Sequence, residues 1–337
     1  MNRLKRFPLD LEGCAFIHIV KLNLFAFVGN LYQDPDNITN ENTLIIYNFS
    51  TFQQLRRVDL KDTSDSGLYY SYQHNYLGRH VGKNLYLLNP ALPTKAIATL
   101  KHSYNVAVCD FPKNVDIICT ADEVKYVYLW DPVTFLKLKK IKLQESNLGF
   151  CNYSLNYIAD KELILTLQRF HIEIVSTKTG KTVYQQDISL KESMNSAHYY
   201  LPKTGEVLWV YTKTQATKFM KYNLKVDDKS SSLTLEATNK VTVPFYVDVE
   251  TLELDDQQIL WNTTIPIDRI FRMDPYTFEY KLLEVSRYKE RPNYEEKGTV
   301  LFVMKKLVFL FEQDVPTVYI LDGPRKSQGE SHSCNLV

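Results

Sequence analysis

Short apolar runs of strand length alternate with polar turns along the whole chain, and they recur in a fixed order. In each repeat an apolar run ends in Asp, Asn or Ser, and a turn and a second run follow it, as in "YLWDPVTFLKLKKIKL". Seven such repeats occur, 41 to 51 residues apart, with turns at Asn48, Asn89, Asp131, Ser176, Asn223, Asp274 and Asp322. A period of this size is typical of the four-stranded blades of a β-propeller.

Three of the seven turns share more than their first residue. Asn48, Asp131 and Asp274 are each followed by Thr at the third position after them and by Phe at the fourth. An Asp or Asn side chain accepts the backbone N–H two residues later, and the Pro after Asp131 and Asp274 fixes φ for a type I turn. These positions are therefore predicted to join the third and fourth strands of a blade, with Gly180 as the left-handed residue of the Ser176 turn.

Two further strand candidates precede the turn in each interval, so four strands per repeat account for nearly the whole chain. The last repeat lacks a fourth strand, which residues 3–13 are expected to supply. Joining one strand from each end of the chain would close the ring and remove an exposed sheet edge. The sequence therefore predicts an all-β fold, a single seven-bladed β-propeller over residues 1–324, and a disordered tail at 325–337.

With Trp130-Asp131 at the third turn, the pattern resembles a divergent WD-repeat β-propeller over about residues 3–324. Only one Trp-Asp pair is present, and no Gly-His pair opens a repeat. We therefore expect the buried Asp-His-Ser/Thr-Trp network of this family to be mostly absent. The resemblance implies a rigid ring that presents its top face, rim and loops to other proteins.

Charge and cysteine usage narrow the classes of function. The 40 basic and 39 acidic residues leave a net charge of +1, which gives no long-range field to attract a nucleic acid. Five cysteines without a C-x-x-C pair are typical of reduced thiols. Charged residues interrupt the apolar run near the N-terminus before it reaches the length of a signal peptide. We therefore expect an intracellular protein, cytoplasmic or nuclear, that does not bind nucleic acid.

No local motif indicates catalysis. The seven histidines form no H-E-x-x-H or H-x-H pair, and no G-x-S-x-G motif occurs. The segment "GRHVGKN" at 78–84 has neither the spacing nor the Ser/Thr of a phosphate loop, and it is predicted to be a β-turn between strands. We therefore expect no enzymatic activity, no metal, no cofactor and no small-molecule substrate.

Tyrosines cluster in two predicted strands, and they are the candidates for partner binding. The candidate residues are Tyr69, Tyr70, Tyr72 and Tyr76 with Arg79, and Tyr199 and Tyr200. Tyrosine is enriched at protein interfaces because it buries a large area at low entropic cost and keeps a polar tip. Packing between blades accounts for the same residues equally well, and the sequence does not separate the two interpretations.

Basic residues mark two predicted outer strands, namely Arg56 and Arg57 in the first blade and Lys137, Lys139, Lys140 and Lys142 in the third. The favoured interpretation is that they guard a strand edge against pairing with another sheet, and the alternative is contact with an anionic membrane. Long polar loops, which often carry binding residues, are predicted at 34–42, 226–240 and 287–297.

The function that these observations favour is a non-enzymatic protein–protein interaction scaffold, a rigid subunit of a stable intracellular complex. The alternative is a peripheral membrane propeller that binds anionic phosphoinositide lipids through basic residues. Arg56-Arg57 is the pair that the alternative would use, although Val58 stands where the signature of lipid-binding propellers has Gly.

Overall fold

The computed structural model describes residues 11–31, 42–51, 53–60, 67–112, 115–124, 126–144, 152–168, 171–187, 196–213, 216–227, 232–247, 253–254, 259–265, 269–284, 298–304, 307–312 and 315–320. Within these ranges the chain forms 28 β-strands and two short 3-10 turns, Val20–Leu22 and Ala159–Lys161. The prediction of an all-β fold is confirmed. In the described part of the chain no helix is long and apolar enough to cross a membrane.

Strands that are consecutive in sequence pair into small separate sheets. The first sheet contains β1 (Leu11–Ile19), β2 (Leu24–Leu31), β3 (Asn42–Asn48) and β4 (Gln54–Asp59). The second contains β5 (Leu68–Ser71), β6 (Tyr76–Val81), β7 (Asn84–Asn89) and β8 (Leu92–Lys101). The third contains β9 (Val106–Asp110), β10 (Ile118–Asp122), β11 (Tyr126–Trp130) and β12 (Lys137–Lys142).

The remaining sheets follow the same plan with small variations. The fourth contains β13 (Asn152–Ile158), β14 (Leu163–Gln168), β15 (His171–Ser176) and β16 (Thr182–Asp187). The fifth contains β17 (Ser196–Leu201), β18 (Glu206–Lys213), β19 (Ala216–Asp227) and β20 (Ser232–Val243). The sixth has five strands, β21 (Tyr246–Val247), β22 (Glu253–Leu254), β23 (Leu260–Ile265), β24 (Arg269–Met273) and β25 (Tyr280–Glu284). The seventh has three strands among the described residues, β26 (Gly298–Met304), β27 (Leu307–Glu312) and β28 (Val315–Ile320).

The chain divides into two compact units. The N-terminal unit comprises 13–194 and 223–236, and the C-terminal unit comprises 1–12, 195–222 and 237–337. Within the N-terminal unit, successive sheets are joined by apolar clusters, the first sheet to the second, the second to the third and the third to the fourth. Within the C-terminal unit, one cluster joins the fifth sheet to the sixth. Each sheet in these clusters therefore buries apolar side chains against its sequence neighbours, as propeller blades do.

Strand β11 shows how one strand serves two apolar clusters. Val127 and Leu129 belong to the cluster shared with the fourth sheet, and Tyr128 and Trp130 to the cluster shared with the second. Because side chains alternate between the faces of a strand, a strand buried on both faces is apolar without interruption. The fourth strands β4, β8 and β12 are mostly exposed, which places the outer edges of the first three sheets in solvent.

The hairpin turns are built by their first side chains. Asn48, Asp131 and Asp274 each accept the backbone N–H groups two and three residues later through Oδ1, at 2.6–3.4 Å. Asn89 accepts the N–H of Ala91 at 2.9 Å, and Ser176 Oγ accepts that of Thr179 at 3.2 Å. The left-handed position is occupied by Gly180 with φ of +71°, and by Phe135 and Phe278 with φ of +59° and +62°.

The predicted turn at Asn223 and the predicted loop at 226–240 are wrong. Asn223 lies inside β19, which continues to Asp227, and β20 begins at Ser232. The sequence after Asn223 is Leu-Lys-Val, without the Pro, Gly or Thr that ends the other strands, so the strand and its pairing continue. The fifth sheet therefore ends in a longer hairpin than its neighbours.

Several predictions fall outside the described residues. They concern the turn at Asp322, the loop at 287–297, most of the loop at 34–42, residues 3–10 of the closing strand and the tail at 325–337. For residues 11–13 the predicted closing strand is wrong, because they lie in β1, which pairs with β2 in the first sheet.

Candidate interaction surface

A buried polar network surrounds Trp130 in the third sheet. His102 lies in the connection from β8 to β9, Thr120 in β10 and Trp130 at the end of β11. Trp130 Nε1 donates to Thr120 Oγ1 at 2.9 Å, and His102 Nε2 lies 2.7 Å from the same oxygen. His102 also contacts the Trp130 ring edge to face, with 5.2 Å between ring centroids.

The carbonyl groups around His102 determine which ring nitrogen carries the proton. His102 Nδ1 lies 3.1 Å from the oxygen of Leu100 and 3.3 Å from that of Lys83, and carbonyl oxygens only accept. Nδ1 therefore carries the hydrogen in the neutral ring, and Nε2 accepts the Thr120 hydroxyl. Burial lowers the pKa of His102 from 6.5 to about 4, so the ring is neutral at pH 7.

Asp122 completes the polar groups at this end of the third sheet. Its Oδ2 accepts the Tyr128 hydroxyl at 3.0 Å, and its Oδ1 accepts the N–H of Tyr126 at 2.9 Å. The Tyr128 hydroxyl in turn accepts the N–H of Ser103 at 3.1 Å, beside His102. Asp122, His102, Thr120 and Trp130 therefore lie together at the third sheet. The sequence led us to expect such a network to be mostly absent, and it gave no signal for His102 because Lys101 rather than Gly precedes it.

The tyrosine candidates of the second sheet are used mainly for packing. Tyr69 hydroxyl lies 3.0 Å from His80 Nδ1, and Tyr70 donates to Asn75 Oδ1 at 2.9 Å. Tyr76 contacts the Phe135 ring at 5.9 Å between centroids. Tyr72 is the exposed candidate, at 46%.

Two further groups of candidates are also buried in part. Arg79 is 5% exposed, and Tyr199 packs against the apolar cluster of the fifth and sixth sheets. Tyr200 is half-buried in β17. The structure therefore brings Tyr69, Tyr70 and Tyr76 into the clusters between sheets and leaves Tyr72 exposed, and partner binding by these residues stays a prediction.

The lysines of β12 lie along the outer edge of the third sheet, and three of them fold back onto the protein. Lys137 Nζ lies 5.3 Å from the Tyr128 ring centroid, and Lys140 Nζ 3.8 Å from that of Tyr126. Lys140 also donates to Ser103 Oγ at 2.9 Å. Lys139 donates to the carbonyl groups of Thr177 and Lys178, which lie in the adjoining turn of the fourth sheet. These contacts tie β12 to its neighbours.

The arginines proposed for lipid contact are exposed on β4. Arg57 Nε pairs with Asp59 at 3.3 Å, and Arg56 donates to the carbonyl of Leu55 at 2.8 Å. The ion pair offsets one of the two positive charges that an anionic headgroup would require. No observation at this pair favours lipid binding over the edge-guarding interpretation.

The described residues offer no group suited to metal or thiol chemistry. No cluster of three or more His, Cys, Asp or Glu side chains that could hold a metal ion occurs among them. Cys109 and Cys119 are buried free thiols, and burial raises the pKa of both well above the usual value. A thiol in such surroundings is protonated and unreactive at neutral pH.

The candidate contact surface is formed by exposed apolar side chains. Nine large apolar side chains are exposed in the described part of the chain, namely Leu55, Tyr72, Leu92, Ile97, Tyr104, Val133, Leu136, Leu138 and Tyr280. Eight of the nine lie in the N-terminal unit, and three lie within the six residues from Val133 to Leu138. Clustered exposed apolar side chains mark contact surfaces. The segment 133–138 is therefore the strongest candidate for such a surface, and sequence reasoning missed it.

Comparison with known proteins agrees with the architecture. The crystal structure of the β-propeller domain of Cps50 (Swd1) from Myceliophteria thermophila is similar to this chain, with a TM-score of 0.62 and 12% sequence identity. The match covers 95% of this chain and 100% of that domain. The chain has a propeller-like, all-β fold. No protein-family model matches the chain, and a search of the curated proteins finds no match.

The propeller assignment makes sense of the small sheets, because each four-stranded sheet corresponds to one blade with its fourth strand outermost. The resemblance to WD-repeat propellers rests on the Trp130-Asp131 turn and on the His102, Thr120 and Trp130 contacts. At 12% identity the likeness concerns the fold, so function has to be argued from this chain's own surface.

Proposed function

We propose that this chain is a non-enzymatic protein–protein interaction scaffold and works as a rigid subunit of an intracellular complex. The observation that carries the proposal is the exposure of eight large apolar side chains in the N-terminal unit, three of them within the six residues from Val133 to Leu138. Soluble domains expose such side chains in clusters mainly where another molecule covers them. The sheets beneath them are closely packed and hold them in place, which lowers the entropic cost of binding.

We further propose that the sheets form one seven-bladed propeller over residues 1–324, with a strand that precedes β1 in the sequence completing the last blade. Two observations support this arrangement. The seventh sheet has three strands among the described residues, which leaves a place for a fourth, and the six preceding sheets follow one another at the spacing of blades. The single-ring arrangement would suit a scaffold, since radial repetition of small sheets leaves only short, protected edges.

The test is co-purification of the tagged protein from its native cells, followed by size-exclusion chromatography and mass spectrometry. We expect elution well above the 39.3 kDa of the monomer, with a small set of proteins in fixed stoichiometry. A surface variant replaces Leu55, Leu92 and Ile97 by Ser, Asn and Thr. We expect this variant to lose some of the co-purifying proteins while its thermal stability stays that of the wild type. A monomeric profile of the wild-type protein without stable partners would contradict the proposal.

A further inference from the structure

The Asp131 turn is held rigidly by its own hydrogen bonds. Asp131 Oδ1 accepts the N–H groups of Val133 and Thr134 at 2.9 and 2.6 Å. Asp131 N–H donates to the carbonyl of Leu136 at 3.0 Å, and Phe135 N–H donates to the carbonyl of Asp131 at 2.9 Å. Val133 and Leu136 therefore stand at fixed positions on the turn, and they are 69% and 66% exposed.

The same turn occurs twice more in the molecule, and the comparison shows what the fold requires. In the Asn48 turn, Ser50 and Gln53 occupy the positions of Val133 and Leu136, and both are exposed. The hydrogen bonds match, with Asn48 Oδ1 accepting the N–H of Ser50 at 2.9 Å and Asn48 N–H donating to the carbonyl of Gln53 at 2.9 Å. A polar pair thus forms this turn equally well.

The third copy of the turn uses its two positions differently again. Tyr276 is half-buried and packs against the apolar cluster of its own unit, and Glu279 is exposed. In neither copy does an aliphatic side chain stand exposed at these two positions. Val133 and Leu136 are therefore not needed to build the turn, and exposing them to water is unfavourable unless another molecule covers them.

Exposed basic side chains lie on the turn that β12 contacts. Lys139 Nζ donates to the carbonyl of Lys178 at 2.9 Å and so joins β12 to the Ser176 turn of the fourth sheet. Lys178 and Lys181 of that turn are exposed, and Leu138 on β12 is 56% exposed. The only acidic side chain of the segment 131–142 is Asp131, whose carboxylate already accepts two backbone N–H groups.

We propose that Val133, Leu136 and Leu138 dock into an apolar groove of a protein partner, and that acidic side chains on the rim of the groove pair with Lys178 and Lys181. Because Lys178 and Lys181 are positively charged, the rim of the partner's groove is expected to be acidic. The fixed turn holds Val133 and Leu136 in place before binding, which lowers the entropic cost of binding. A protein is favoured over a membrane because Lys139 and Lys140 already donate hydrogen bonds within the protein, so that fewer free lysines remain for the broad contact with anionic lipid, whereas Lys178 and Lys181 suit a local acidic rim. The inference rests on the proposed scaffold function and names the surface that performs it.

The test uses residues that the molecule itself provides. The variant V133S/L136Q gives the Asp131 turn the side chains of the Asn48 turn, and S50A/Q53A is the matched control. A photo-crosslinking residue at position 138 identifies the protein in contact, and the affinity of that purified protein is then measured for each variant. We expect V133S/L136Q to weaken binding about tenfold or more, and the control to bind like the wild type.

A second variant tests the pairing of Lys178 and Lys181 with acidic side chains of the partner. K178E/K181E is expected to slow association and to weaken its dependence on salt, because the attraction to acidic side chains is lost. Circular dichroism and thermal unfolding of both variants should match the wild type, since the altered side chains are on the surface.

Three outcomes would overturn the inference. Unchanged affinity of V133S/L136Q for the crosslinked protein would show that the turn is not the docking surface, while leaving the scaffold function intact. Binding of the wild type to phosphatidylcholine vesicles only when phosphatidylserine is added, lost in V133S/L136Q, would assign the turn to a membrane. A wild-type protein without any partner would overturn the scaffold function, and this inference with it.

Discussion

The third and fifth sheets bury polar side chains in two different ways. In the third sheet, His102, Thr120 and Trp130 form a neutral network in which each polar atom has a partner. In the fifth sheet, Lys221 and Glu206 are 6% and 9% exposed, and their charged atoms lie 3.8 Å apart. The His102 network thus consists of hydrogen bonds between neutral groups, whereas the fifth sheet buries a pair of ions.

The ion pair depends on further contacts in its own unit. Lys221 Nζ donates to the carbonyl of Tyr276 at 2.8 Å and lies 4.8 Å from the Phe278 ring centroid. Thr238 Oγ1 donates to Glu206 Oε1 at 2.7 Å. Because Lys221 on β19 reaches the β24–β25 turn, it joins the fifth sheet to the sixth.

The comparison shows that two sets of similarly buried groups respond differently when one partner is lost. Losing one partner of a neutral network leaves a dipole without a hydrogen bond, whereas losing one partner of an ion pair leaves a charge in a poorly solvated place. The neutral network has a different weakness, since a buried histidine can be protonated as the pH falls. Each difference can be measured.

The largest effect is expected from Lys221→Ala, which leaves Glu206 buried without its cation. We expect the free energy of unfolding to fall by about 3–5 kcal/mol in urea denaturation. The double variant E206Q/K221M should recover most of this loss, because it removes both charges. Lys225→Ala is the matched control, since Lys225 pairs with Glu236 at the surface and its loss should cost less than about 1 kcal/mol. Equal losses for the two lysines would contradict the distinction.

A smaller loss is expected from Thr120→Val in the neutral network. Valine keeps the shape of threonine but removes the hydroxyl, so the Trp130 N–H and His102 Nε2 are left without their partner. We expect about 2–3 kcal/mol of destabilisation by urea denaturation. Thr120→Ser keeps the hydroxyl and should lose clearly less; a serine variant as unstable as the valine variant would show that packing, not hydrogen bonding, holds this site.

The strands and turns were the part of this fold that the sequence predicted well. Apolar runs ended by Asp131 or Asp274, with Pro next and Thr two positions beyond it, contain their own turn chemistry, so local reasoning finds them. The longer hairpin at Asn223 was missed because Asn favours turns while the residues after it favour strands, and pairing with β20 decided the outcome.

The candidate site was less accessible to sequence reasoning. A blade buries both faces, so alternation along β5 cannot tell a tyrosine at a contact surface from one packed between sheets. The His102 network joins residues 18 and 28 positions apart, and it has no Gly-His signal. In the sequence, Val133 and Leu136 look like ordinary apolar residues beside a strand. Only the structure shows that they are exposed on a fixed turn.

The smallest expected effect is the dependence of folding stability on pH that His102 gives to the third sheet. The pKa of His102 is about 4 in the folded protein and about 6.5 in the unfolded chain. Between these values the unfolded state binds more protons, so the contribution of His102 is complete above pH 6.5 and is lost as the pH falls towards 4. We expect about 2 kcal/mol less stability at pH 5 than at pH 7 from this group. His102→Gln keeps a polar atom near Thr120 and should lack this dependence.

Asp110 in β9 is the group that would mask this effect, and it supplies the control. Burial raises the pKa of Asp110 to about 6, against the pull of the Tyr157 N–H, which donates to its Oδ2 at 2.8 Å. The folded state therefore binds the proton first, so stability from Asp110 is gained as the pH falls from 6 towards 4, opposite in sign to His102. In the Asp110→Asn background we expect the wild-type histidine to show a steeper loss between pH 7 and pH 5, and His102→Gln to show none from this site. If the free energy of unfolding of the two proteins changed with pH in parallel, His102 would not titrate in this range. The stability of the neutral network would then not depend on the charge of the His102 ring.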